Sequence, residues 1–215
     1  MNNNVFLQYW SFMYKTKNVF GEGPTILAKE AHQILKNIEC RKMLEIGCGQ
    51  GRDALYFSEL GYKIEAFDIS NEAIDFVKTQ KQIKKLDNLE LFQHDVKMPI
   101  TKENYFDFVY SNLTLQFFDI SNLQLILENI SKCMNTNSLF HFSTKKIGDK
   151  YYDFGTKINE NAFSYKGITR YFYEKEILEN LFEDNFKIKK FESDKHTNLD
   201  NTISVWWKIL LQKTD

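Results

Sequence analysis

This chain of 215 residues lacks most of what marks several broad protein classes. Its three cysteines, Cys40, Cys48 and Cys133, are scattered and odd in number, with no Cys-x-x-Cys spacing. They read as reduced thiols rather than a disulfide framework, which points to a cytoplasmic protein. The four histidines (His32, His94, His141, His196) are equally dispersed and have no cysteine partners, so no metal site is expected. Prolines number only two, Pro24 and Pro99, and no Gly/Ser-rich linker divides the chain, so residues 1–215 are expected to form a single domain. No apolar run reaches the about 18 residues of a membrane span. The opening Met-Asn-Asn-Asn lacks the basic and apolar regions of a signal peptide. Charge of one sign is missing too: 28 basic and 29 acidic residues, interspersed, give a net charge of -1. That balance argues against a nucleic-acid or membrane partner.

What remains is ordinary for a globular protein, with 43% hydrophobic and 27% charged residues. A chain of this length can bury a core without metals or disulfides. Residues 1–23 form an aromatic arm (Phe6, Tyr9, Trp10, Phe12, Tyr14, Phe20) that ends in Gly21-Glu22-Gly23-Pro24. Such a stretch is too apolar to float free; it either lids a cleft or packs as core. Pro24 is expected to open a helix whose apolar face is Ile26, Leu27, Ala31, Ile34 and Leu35.

Beyond Arg41, strand and helix patterns alternate. Lys42–Ile46 reads as a buried strand, Asp53–Leu60 as a helix stopped by Gly61, and Lys63–Asp68 as a second strand. Ser70 is placed to cap a helix carrying Ala73, Ile74, Phe76 and Val77, with Lys78–Lys85 on its solvated face. Leu89–Gln93 and Tyr105–Tyr110 follow as strands, Leu123–Met134 as a helix and Ser138–Phe142 as a fifth strand. The polar segment Lys145–Tyr165 reads as loop, before a helix over Glu174–Phe182 and strands at Phe186–Phe191 and Ile203–Leu211. This alternation predicts an α/β protein: a parallel sheet with helices on both faces and a late hairpin at one edge.

The informative stretch is Glu45-Ile46-Gly47-Cys48-Gly49-Gln50-Gly51-Arg52-Asp53, between a strand and a helix. Glycines there permit a sharp turn and close approach of backbone to a ligand. The helix that follows offers free N–H groups and a positive dipole end. Asp68, at the end of the second strand, is placed to accept two ribose hydroxyls, so the combination reads as a site for an adenosine-containing cofactor. A dinucleotide fingerprint, G-x-G-x-x-G, requires glycine where Arg52 stands. Glu45 also lies two residues before the first glycine. Both departures disfavour NAD.

The stretch resembles motif I of class I S-adenosylmethionine-dependent methyltransferases: an acid, any residue, then glycines at alternating positions. The resemblance runs from Phe20 to Leu211. Over Gly47–Ser70 (GCGQGRDALYFSELGYKIEAFDIS) it is especially close to the tellurite-resistance and thiopurine-type enzymes. It implies a Rossmann-like, seven-stranded, mostly parallel sheet with the last strand antiparallel. It also implies S-adenosyl-L-methionine as cofactor and a monomer or homodimer acting on a small-molecule acceptor. By the same resemblance Glu45 and the Gly47-Cys48-Gly49 backbone hold the methionine part, with Arg52 on its carboxylate. Asp68 takes the ribose, Ile69 one face of the adenine, and Asp95 with Val96 its edge. Ser111 and Leu113 then lie near the sulfonium. Ser111-Asn112-Leu113-Thr114 lacks the prolines of the amino-methylating DNA enzymes. His196 lacks the arginine that accompanies it in tellurite-type members, and no catalytic base stands out. The rivals are a protein- or RNA-modifying methyltransferase of the same fold and a non-catalytic cofactor-binding subunit.

Overall fold

The computed structural model describes residues 3–16, 21 and 23–214; Phe20 and Glu22 of the arm lie outside them. The arm is a helix, α1 (Asn3–Thr16), and α2 (Ile26–Leu35) follows. Pro24 does not open α2. The Thr25 hydroxyl caps it by accepting from the Ala28 N–H at 3.1 Å, which a proline cannot do.

The central strands and helices are β1 (Met43–Ile46), α3 (Arg52–Glu59), β2 (Ile64–Asp68), α4 (Asn71–Lys84), β3 (Leu89–Gln93) and β4 (Phe106–Asn112). After β4 come a 3-10 turn (Leu115–Phe117), α5 (Ile120–Cys133) and β5 (Met134–Lys145). Ser70 caps α4, its hydroxyl accepting from the Ala73 N–H, and the Asp119 carboxylate caps α5 from the Asn122 N–H at 2.8 Å. The chain continues through β6 (Thr156–Asn159), β7 (Ala162–Tyr165), β8 (Ile168–Tyr171), α6 (Lys175–Phe182), β9 (Phe186–Thr197) and β10 (Ile203–Lys213).

Seven strands form one sheet in the order β3-β2-β1-β4-β5-β10-β9. Every neighbouring pair from β3 to β5 is parallel; β10 runs antiparallel to both β5 and β9. The expected fold class, an α/β sheet with its last strand antiparallel and a hairpin at the edge, is what forms. Strand alternation sends Met43, Phe108 and Tyr110 into one core with α2, α3 and α4, and Leu44, Val109 and Phe140 into a second core with α5 and α6. Because both faces are covered, every residue of β1 is buried.

The expectation of a loop over Lys145–Tyr165 is corrected. β6, β7 and β8 form a separate antiparallel sheet whose β8 packs on the 3-10 turn and on α1. All four residues of β6 are exposed, so no alternation betrays it in sequence. The turn between β7 and β8 uses Lys166 and Gly167, both at positive φ, as a tight hairpin requires.

His141, on β5, sits opposite Tyr110 of β4 and Leu210 of β10 with Nδ1 lacking a hydrogen-bond partner. Burial, helped by the charges of Lys190 and Lys208, lowers its pKa from 6.5 to about 3. The folded state therefore binds fewer protons than the unfolded chain between these values, and stability falls as pH drops from 6.5. We expect urea unfolding of wild type and His141→Gln to diverge by about 1.4 kcal/mol per pH unit below 6.5, with wild type losing the more. Equal slopes would mean that His141 protonates within the fold.

Candidate functional site

A cavity of about 830 Å³ opens at the carboxyl ends of the parallel strands, within the usual size range of cofactor and small-molecule sites. The loops after β1, β2, β3, β4 and β5 all reach it, where open α/β sheets bind ligands. Of the residues singled out from sequence, Glu45, Gly47, Cys48, Gly49, Arg52, Asp68, Ile69, Asp95, Val96 and Leu113 line it together. Ser111 does not. Fully buried, it donates its hydroxyl to the Ile46 carbonyl at 3.1 Å, behind the wall; its successors Asn112, Leu113 and Thr114 face the cavity instead.

The turn after β1 is held from both sides. Gly47 and Cys48 donate their N–H groups to the Phe67 carbonyl, each at 2.9 Å. A side chain on Gly47 would collide with Thr114. Gly49, at φ +52°, leaves only 3.0 Å between a would-be Cβ and the Tyr14 hydroxyl oxygen. The Gly49 N–H donates to one Asp68 oxygen at 2.9 Å and the Ser70 N–H to the other at 3.0 Å. Asp68 is thus fixed in orientation, with further lone pairs on both oxygens.

Behind this turn lie three buried carboxylates, Glu45, Asp53 and Asp68. Among the described residues none of them forms an ion pair. Asp53 accepts from the Thr25 N–H and hydroxyl, both at 2.8 Å, and from the Tyr110 hydroxyl at 2.7 Å, tying the start of α2 to α3 and β4. Glu45 is worse provided: its Oε2 is buried without a partner. Burial raises the pKa of all three, and for Glu45 the charges of Asp53 and Asp68 raise it further. A carboxylate so placed favours a cation beside it. The thiol chemistry is quiet by comparison. Burial, with the charges of Asp68 and Glu45, pushes the Cys48 thiol well up, and Cys40 and Cys133 rise to about 12.

The other walls were less legible. Phe6, Trp10 and Tyr14 of α1 cover the cavity, with Trp10 stacked on Tyr14 and edge-on to Phe117. α1 is anchored on α4: Lys15 pairs with Glu72 at 3.3 Å, and a hydrogen bond from Ser11 leads the effects that pull the Glu72 carboxyl down to about 2. Asp95 holds the Lys97 N–H at 3.0 Å and its ammonium at 3.6 Å. Arg52 donates to the Gly23 carbonyl. Sequence reasoning missed Thr25, Lys145 and Trp206, which come from the chain before β1, the end of β5 and β10; Tyr151, Arg170 and Tyr171 fall in the 151–173 segment that the sequence offers as a pocket wall. Asp53, a buried acid in the first turn of α3, carried a readable signal.

The seven-stranded fold with its strand-end cavity and acidic glycine turn is that of the class I S-adenosylmethionine-dependent methyltransferases. The chain belongs to the family of the tellurite resistance protein TehB, whose model matches residues 9–197. A relative in Haemophilus influenzae, a probable S-adenosyl-L-methionine-dependent methyltransferase TehB, is 31% identical over 127 residues, 59% of this chain. That match spans 41% of the relative's length. The crystal structure of TehB from Haemophilus influenzae superposes with a TM-score of 0.67 at 20% identity, covering 97% of this chain and 67% of that one. A Burkholderia thailandensis 1,6-didemethyltoxoflavin-N1-methyltransferase, solved with its namesake ligand and S-adenosylhomocysteine, gives 0.73 at 16% identity over 99% and 89% of the two chains. At these identities the two structures speak for the fold. The cofactor of the class fits the donor set present: a cationic ligand meets three buried acids, one with an orphaned oxygen.

Glu45 also makes a stability statement. Its folded-state pKa lies well above 4.5, so the folded protein binds more protons than the unfolded chain above that pH, and stability falls as pH rises. Glu45→Gln, neutral throughout, is expected to melt above wild type at pH 8 by about 2–4 °C, roughly 1 kcal/mol at this chain length. The gap should narrow as pH falls and close below the unfolded-chain value of 4.5. A variant that melts lower than wild type at pH 8 would mean that Glu45 is already paired.

Proposed function

We propose that this protein transfers the methyl group of S-adenosylmethionine to a small-molecule acceptor held in the same cavity. The observation that carries the reading is continuity: one cavity joins the acidic glycine turn to an aromatic room beyond it. In the proposed pose the unpartnered Glu45 oxygen takes the cationic amino group of the methionine part, and Gly47, Cys48 and Gly49 give the close backbone. Asp68, held by Gly49 and Ser70, keeps its remaining lone pairs for the ribose hydroxyls. Ile69 and Val96 flank the adenine, Asp95 accepts from its amine, and Leu113 with Thr114 borders the sulfur. Arg52 acts at the turn, through Gly23, and Ser111 acts only as support for Ile46.

The cofactor, when bound, supplies an electrophilic methyl group. What the chain contributes is alignment and exclusion of water. Phe6, Trp10 and Tyr14 roof the site and present aromatic faces, which favour a cationic ligand. No cysteine serves as base, since Cys48 stays a thiol. A roofed cavity suits a small acceptor better than a polymer. Free thiols at Cys40, Cys48 and Cys133 fit a cytoplasmic setting, and among the described residues no helix is long and apolar enough to cross a membrane.

The reaction is tested by incubating the protein and methyl-labelled cofactor with a cell extract. Label is expected in the low-molecular-mass fraction, whereas label confined to protein or RNA would assign a polymer substrate. Asp68→Ala is expected to weaken S-adenosylhomocysteine binding by roughly ten- to a hundredfold, the scale of about 1.5–3 kcal/mol for hydrogen bonds to a charged group. Unchanged affinity in calorimetry would remove Asp68 from the cofactor site.

We further propose that α1 is a lid. It docks on the glycine turn through Tyr14, so a bound cofactor should slow its local opening. Tryptic cleavage after Lys15 is expected to slow severalfold at saturating S-adenosylhomocysteine. Equal rates with and without the ligand would make α1 a fixed part of the core.

A further inference from the structure

The far end of the cavity carries the opposite charge to the glycine turn. Arg170, on β8, lines it with 9% of its surface exposed. Its guanidinium lies over the Tyr151 ring at 4.4 Å and 5.8 Å from the centre of Phe117. Among the described residues it has no carboxylate within ion-pair distance and no hydrogen-bond acceptor. Its five N–H donors are therefore left to whatever fills the cavity.

The neighbouring charges do not supply a partner. Lys145 is buried beside it, but Asp149 answers it through one oxygen, which also accepts from the Val205 N–H at 2.8 Å, while the other oxygen accepts from Tyr151. Arg170 and Lys150 lie near enough for their charges to add to the burial that lowers the Lys145 pKa. Lys208 is matched by Glu30 at 2.6 Å and Asp194 at 3.3 Å. Asp119 caps α5 through Asn122. Among the described residues Arg170 is thus the buried cation of this region without a carboxylate partner, and the half-buried Lys150 lies near it. Around them the walls are flat and aromatic: Phe117, Tyr151, Tyr171 and Trp206.

We propose that this end of the cavity is the acceptor subsite and that it takes a planar, largely apolar molecule bearing one carboxylate, which pairs with Arg170. This rests on the methyltransferase reading above and narrows its acceptor. A planar guanidinium matches a carboxylate in a two-pronged pair, and the Tyr151 ring beneath it holds it in place beforehand. Aromatic walls reward a flat body by burial of area. Charge then sorts the ligands: the acidic end takes the cationic cofactor, and the basic end takes the anion.

The test uses 2-naphthoate and its neutral isostere 2-naphthamide as probes, by thermal shift and calorimetry on the full chain, with and without S-adenosylhomocysteine. The naphthoate is expected to bind at least tenfold tighter than the amide, and Arg170→Gln should erase that preference while leaving S-adenosylhomocysteine affinity unchanged. Equal binding of acid and amide, or selenite protecting as well as naphthoate, would overturn the proposal. So would a preference that survives Arg170→Gln. If that variant fails to fold, Arg170→Lys, which keeps the charge and loses the fork, should retain the acid-over-amide preference at lower affinity; its full retention of affinity would overturn the two-pronged pair. Absence of S-adenosylhomocysteine binding to wild type would count against the methyltransferase reading alone, because the carboxylate preference is read on the unliganded protein as well.

Discussion

Negative charge buried without an internal cation is the constraint from which the site follows. Glu45, Asp53 and Asp68 occupy the ends of β1 and β2 and the start of α3, out of water, and among the described residues none is ion-paired. A fold selected for stability alone would place apolar side chains in a fully buried central strand such as β1. Here Glu45 interrupts the Met43-Leu44-Ile46 run. Of the three acids, Asp53 is the structural one, because Thr25 and Tyr110 serve both its oxygens. Asp68 is half served, by two backbone amides. Glu45 is the one left wanting, two residues before the first glycine of the turn. This gradient of satisfaction separates the acid that holds the fold from those available to a ligand.

The aromatic arm has a place in the same logic. A glycine at position 49 leaves room for a close partner, and in the structure the nearest side chain is Tyr14 of α1. Burial and the charge of Asp68 push the Tyr14 hydroxyl well up, so it remains a neutral hydrogen-bonding group beside the acids. Phe6 and Trp10 then carry the roof across to Phe117. One helix therefore touches the turn at one end and the aromatic room at the other.

How much of this could be read from the chain depends on whether a residue's signal is local. The strand, turn, helix and strand from Met43 to Asp68 were legible because each boundary has its own chemistry: a buried apolar run, alternating glycines, and Gly61 closing α3. The seven-stranded order was available only through the family resemblance, since pairing partners such as β1 and β4 leave no mark in sequence. β6 was invisible because all its residues face water. Ser111 was placed one residue too far back for contact, as strand alternation turns Ser111 toward Ile46 and its neighbour Asn112 toward the cavity. Arg170 was unreadable for a different reason. Nothing in Ile168-Thr169-Arg170-Tyr171 tells a surface cation from a buried one until β8 is seen packed against the 3-10 turn.

The two charged ends also bear on why the unliganded protein need not be at its stability optimum. Carboxylates raised in pKa at one end subtract from folding, and the Arg170 guanidinium at the other has no protein acceptor among the described residues; on the proposed reading each end is matched by a ligand of opposite sign. A ligand that binds the folded state alone stabilises it in proportion to the logarithm of its saturation. In that reading, destabilisation at Glu45 becomes affinity for a cation. α1 and β8 both border the cavity and pack against one another, so filling either end also tightens the wall of the other. On the proposed reading, coupling between the two ligands would need no conformational switch, only the α1–β8 contact that both ends share.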